Sequence, residues 1–139
     1  MILRCSFEEL SAVRAAAGSV LATAGTVGVA APPEISADIE ALTSRLDGDI
    51  GVESLHELRG IIRALEFLVA DARSRTDASI VEHNNPAAEP AVISYFEYGH
   101  LLTLYDRAAR LGAEMAALIE LMTGQPATDE TARNILFPD

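Results

Sequence analysis

Three stretches of the chain share one order of apolar and polar positions. A short apolar run is followed by Ser-x-x-Glu and then by apolar residues at helical spacing. The runs are Ile2-Leu3-Arg4-Cys5 before Ser6 and Glu9, Ile50-Gly51-Val52-Glu53 before Ser54 and Glu57, and Ala91-Val92-Ile93 before Ser94 and Glu97. Ser-x-x-Glu is the capping box, in which the Ser oxygen accepts the N3 amide and the Glu reaches back to the N-cap amide. Each box therefore predicts a helix start.

The first helix is expected from Phe7 to about Ala22, with Phe7, Leu10, Val13, Ala17, Val20 and Leu21 on its apolar face. Pro32-Pro33 opens a shorter second helix with Ile35, Ile39, Leu42 and Leu46 on one side, and Asp47-Gly48-Asp49 reads as its closing turn. After Ser54, the residues Leu55, Leu58, Ile62, Leu65, Val69 and Ala72 alternate at three and four, a coiled-coil-like seam. After Ser94, Leu101, Leu104, Ala108, Leu111, Met115, Leu118 and Met122 do the same, until Gly124 and Pro126 stop the helix. Two seams joined by a reversing loop over Asp77–Pro90 predict an antiparallel helical hairpin, with helices at about 55–78 and 95–123. The apolar runs 2–5 and 50–53 are expected to pair as a small two-stranded ribbon at one end. The fold class is thus mainly α, a four-helix arrangement in a single domain over 1–139. Strand and helices fill 1–53, the hairpin 54–123, and a tail with a short helix 124–139.

At 139 residues the chain is long enough for one core. A helix over 95–123 would be about 43 Å long, against a diameter of roughly 37 Å for a compact chain of this size. The hairpin also carries apolar residues that its seams do not use, among them Ile61, Phe67, Leu68, Leu102, Tyr105 and Ile119. These are candidate interface residues, because large exposed apolar patches usually mark contacts. A homodimer, or docking of a protein partner on the hairpin, is the expectation.

Charge narrows the choice of partner. Ten basic and 21 acidic residues give a formal net charge of −11, and every basic side chain is Arg. The absence of Lys excludes P-loop, Schiff-base and Ser–Lys chemistry. The acidic balance and the scattered Arg argue against nucleic acid and against anionic membranes. Glu8 and Glu9 stand where a secretory signal would carry positive charge, and the small residues after Ala15 make a poor transmembrane span. A single cysteine forms no internal disulfide and fits a reducing interior, so a cytoplasmic location is expected.

Chemistry is sparse. Glu53-x-x-His56 and Glu97-x-x-His100 have the spacing of ligand pairs in di-iron carboxylate bundles. They begin antiparallel helices, however, and should stand on the order of 30 Å apart. A local cluster of Glu82, His83, Glu97 and His100 at the turn of the hairpin could hold zinc or iron. His56, near a helix N-terminus, is a possible neutral base without a visible nucleophile. Cys5, just before another N-terminus, is either a thiol of lowered pKa or a small buried apolar residue, and the second fits better. The leading expectation is a non-enzymatic, acidic helical interaction or assembly protein with no cofactor. The alternative is a small metal-binding protein or metal-dependent enzyme.

Overall fold

A computed structural model describes the backbone of residues 1–22, 31–83 and 92–131, and the side chains of 1–21, 31–74 and 96–131. The chain runs β1 (Ile2–Leu3), α1 (Phe7–Ala22), α2 (Pro33–Thr43), β2 (Ile50–Gly51), α3 (Leu55–His83) and α4 (Val92–Thr123). It is mainly helical with one small antiparallel ribbon, as its pattern predicts. No helix among the described residues is long and apolar enough to cross a membrane.

In the ribbon Ile2 lies opposite Gly51 and Leu3 opposite Ile50. The Val52 amide extends the pairing by donating to the Met1 carbonyl at 2.8 Å. Leu3 and Ile50 point into the core while Ile2 and Gly51 face out, the period-two alternation of a strand. The ladder is shorter than the apolar runs, because side chains take the next backbone groups. The Cys5 amide donates to Asp49 Oδ1 at 2.9 Å, and the Arg4 carbonyl accepts from Arg107 at 2.8 Å.

One of the three capping boxes forms in full and a second in part. The Ser6 amide donates to Glu9 Oε1 at 2.9 Å and the Glu9 amide to Ser6 Oγ at 3.1 Å. The Glu57 amide donates to Ser54 Oγ at 3.0 Å, but the Glu57 carboxylate accepts from the Glu53 amide instead of from Ser54. The third box fails. α4 begins at Val92, so Ser94 lies inside its first turn. Likewise α3 continues to His83, past the expected end near 78. Residues 77–83 hold neither Gly nor Pro to stop it, whereas Asn84-Asn85-Pro86 does. Glu82 and His83 therefore end a helix and are not loop residues.

α3 is the central element and packs against α4, α2 and α1. It buries its seam residues Leu55, Leu58, Leu65 and Ala72, and also a second face of Ile61, Ala64 and Leu68. α1 contributes Leu10, Val13, Ala16, Ala17 and Val20 to the same core, and α2 contributes Ile39 and Leu42. At Gly112 the hairpin helices come close. A β-carbon there would stand 3.0 Å from Ile62 Cδ1, so an alanine would require the end of the Ile62 side chain to shift.

The seam of α4 does not persist. Leu101, Leu104 and Ala108 are buried as expected, but further along Ile119 is buried while Leu118 and Met122 are exposed. A strict seven-residue repeat drifts by about 20° per heptad on a straight helix of 3.6 residues per turn. After two heptads, the buried line has moved from Leu118 to Ile119. Ile119 packs with Leu55, Ala116 and Ala127 in a small second cluster at the far end of the hairpin.

Candidate functional site

The described residues offer a groove edged by charged side chains, a buried acidic node and an exposed apolar helix end. The groove, of about 260 Å³, lies between α2 and α3 and is lined by Asp38, Arg45, His56, Glu57 and Arg63 among others. Its charges are already matched. Arg63 Nε lies 3.1 Å from Asp38 Oδ2, and Arg45 pairs with Glu57 while donating to the Gly51 carbonyl at 2.7 Å. The His56 side chain is exposed, and its amide donates to Asp129 Oδ1 at 2.6 Å. Among the described residues no Ser, Thr or Cys lines the groove, so none of them offers the imidazole a hydroxyl or thiol to activate.

The buried node is Glu9, 2% exposed and the sole buried charged residue among those described. Its Oε1 accepts from Arg107 Nη1 at 2.7 Å as well as from the Ser6 amide, and its Oε2 accepts from Thr103 Oγ1 at 2.8 Å. Burial pushes its carboxyl pKa up, but Arg107, the Ser6 amide and Thr103 together outweigh burial and hold it below the ordinary value. The capping-box acid of α1 thereby also ties α1 to α4. Sequence reasoning saw the cap and missed the tie, because Thr103 and Arg107 are more than ninety positions away. Their spacing of four, on one face of α4, was the available signal.

Cys5 sits beside this node, half-buried, with Sγ 3.5 Å from the Leu3 carbonyl. Burial and then the Glu9 carboxylate push its thiol pKa up to about 11, against opposing help from the Ile50 amide and Arg107. The position before a helix N-terminus therefore does not activate it. At pH 8 roughly one thiol in a thousand is ionised, so alkylation of the folded protein by iodoacetamide should be far slower than that of the unfolded chain. Equal rates in the two states would contradict the burial of this thiol.

Of the metal candidates, Glu97 and His100 are half-buried on the first turns of α4, where the His100 ring meets the Phe96 ring edge-on at 4.4 Å between centroids. The side chains of Glu82 and His83 lie outside the described residues. Among the described residues no group of three or more His, Cys, Asp or Glu could hold a metal. His56 contacts the segment following α4, at the opposite end of the hairpin from His100, so the two Glu-x-x-His motifs do not converge.

The interface candidates divide. Ile61, Leu68 and Ile119 are buried within the chain, because α1, α2 and the segment after α4 cover them. Phe67, Leu102 and Tyr105 are half-buried. Among the described residues Ile2, Phe7 and Phe96 are exposed at separate places, and a cluster of exposed apolar side chains stands at the end of α4: Leu118 is 38% exposed, Leu121 83% and Met122 60%. Their spacing of three and four places them side by side on one face. The helix under them is firmly ended. Gly124 takes φ +67°, its amide donates to the Glu120 carbonyl at 2.9 Å, and the chain turns back. Ala127 then packs on Leu55, its carbonyl accepts from Arg59 at 3.1 Å, and Asp129 caps α3. The apolar face is thus mounted on an end of the hairpin that the following segment holds in place. Comparison with protein-family models, with curated proteins and with solved structures finds no match to this chain.

Proposed function

We propose that the protein is a non-enzymatic, acidic helical assembly protein whose partner is a second copy, joined through the distal end of α4. The observation that carries this reading is the cluster of Leu118, Leu121 and Met122, three large apolar side chains exposed within little more than one turn. Across a two-fold axis each such side chain gains up to about 1.5–3 kcal/mol on full burial. Association itself costs roughly 4–15 kcal/mol, a sum of similar size. The dimer should therefore be concentration-dependent and not permanent. A cytoplasmic location fits the lone, weakly acidic thiol.

Light scattering should give a mass approaching twice 14.8 kDa as concentration rises through tens of micromolar. Two copies of charge −11 repel, so added salt should strengthen the dimer. Leu121→Glu should leave a folded monomer. A parent that stays monomeric throughout, or a Leu121→Glu variant that still dimerises, would overturn the proposal.

A further inference from the structure

Three of the ten arginines converge on one small cavity. Arg4, just after β1, and Arg107 and Arg110 on α4 line a space of about 220 Å³, together with Ile2, Leu3, Leu111 and Glu114. On α4 these residues fall at spacings of three and four, so Arg107, Arg110, Leu111 and Glu114 share one face. The ribbon brings Arg4 to that face from a distance of over a hundred positions, and the bond from Arg107 Nη1 to the Arg4 carbonyl fixes the approach.

The charges here are not matched as they are in the groove between α2 and α3. Arg107 is committed through Nη1 to Glu9 and to the Arg4 carbonyl. The guanidinium groups of Arg4 and Arg110 have no hydrogen-bond or ion-pair partner among the described residues. With Arg107 matched by Glu9, Arg4 and Arg110 against Glu114 leave a local excess of positive charge on a chain of net charge −11. Leu3 and Leu111 supply an apolar wall beside it, and Ile2 adds an exposed one.

We infer that this cavity is a binding site for a small organic anion, whose carboxylate or phosphate oxygens are held by Arg4 and Arg110 and whose short apolar stem lies against Leu3 and Leu111. The planar fork of a guanidinium matches either oxyanion with two parallel N–H donors. Arg107, already paired with Glu9, positions the cluster through its bond to the Arg4 carbonyl. Glu114 on the lining disfavours a second negative group at its side, so a singly headed anion fits better than a dianion spread along the molecule.

Titration calorimetry and amide chemical-shift mapping with hexanoate, acetate and inorganic phosphate, at matched ionic strength, test the inference. Hexanoate should bind saturably, perturb residues 2–4 and 107–114, and bind more tightly than acetate. Phosphate should perturb the same residues if the oxyanion alone suffices. Arg4→Gln and Arg110→Gln should each weaken hexanoate about tenfold or more, the scale of one charge-assisted hydrogen-bonded contact. Both residues are exposed and without partners among those described, so the fold should survive, which circular dichroism would verify. Mass measured on the same samples separates loss of binding from any loss of dimer. Non-saturable or diffuse perturbation by hexanoate, or unchanged affinity in the double variant, would overturn the site.

Discussion

Leu65→Asp is expected to abolish the folded state at room temperature. Leu65 is wholly buried on the seam of α3, in the core to which α1, α2 and α4 also contribute. A carboxylate there has no partner and costs several kcal/mol, or titrates to a neutral acid that still lacks hydrogen bonds. Domain stabilities are about 5–15 kcal/mol in total. Leu65→Ala removes volume without adding charge and should cost about 2–5 kcal/mol, leaving a folded but weakened protein. Urea denaturation followed by circular dichroism would show the two effects. A Leu65→Asp variant that melts like its parent would mean that the α3 register is wrong.

Arg107→Ala should have the next largest effect, a destabilisation whose size should depend on pH. In the parent, Glu9 has a depressed carboxyl pKa, so its contribution to stability is present above the ordinary carboxylate pKa and lost as pH falls through the depressed value. Removing Arg107 leaves Glu9 buried with only Thr103 and the Ser6 amide as partners. Breaking a buried pair in this way typically costs 3–5 kcal/mol, here toward the lower end because Arg107 is itself partly exposed, with 45% of its side chain accessible. The Glu9 pKa then rises from its parent value, because the guanidinium that helped offset burial is gone. A raised acid is most stable in its protonated state, so the variant's deficit should be largest at neutral pH and shrink below about pH 4. Melting temperatures of parent and variant across pH 3–8 would show this convergence. A deficit independent of pH would mean that Arg107 acts through packing and not through the Glu9 charge.

Much of the local structure was legible in the order of residues. Ser6-x-x-Glu9 and Ser54-x-x-Glu57 announced α1 and α3, Pro32-Pro33 announced α2, and Gly124 announced the end of α4. Each is a bond, or a backbone preference, reaching over a few positions. Ser94-x-x-Glu97 has the same form but does not mark the helix start, because the helix had already begun at Val92. A capping box raises the odds of a start but does not forbid an earlier one.

The candidate sites were legible only in part. Phe67, Leu102 and Tyr105 were named on the right element and are half-buried, whereas Leu118 and Met122 were assigned to the seam and are exposed. Heptad counting over three heptads tolerates a slip that a straight helix accumulates. The Arg cluster was invisible, since Arg4 and Arg110 are too far apart along the chain to read as a basic run.

By itself, the sequence determined what short-range physics decides: the starts of α1, α2 and α3, the end of α4, the apolar faces of α1 to α3 apart from Phe7, which is 76% exposed, the hairpin, and the pairing of two short strands. The tertiary structure decided which apolar faces are consumed and which side chains far apart in the chain meet. Ile61, Leu68 and Ile119 went inside because other elements cover them, and Glu9, Thr103 and Arg107 met because α1 crosses α4 at that height. Burial and charge pairing at such separations depend on how whole elements stack, and the spacing of residues along one helix carries no information about which other helix will face it.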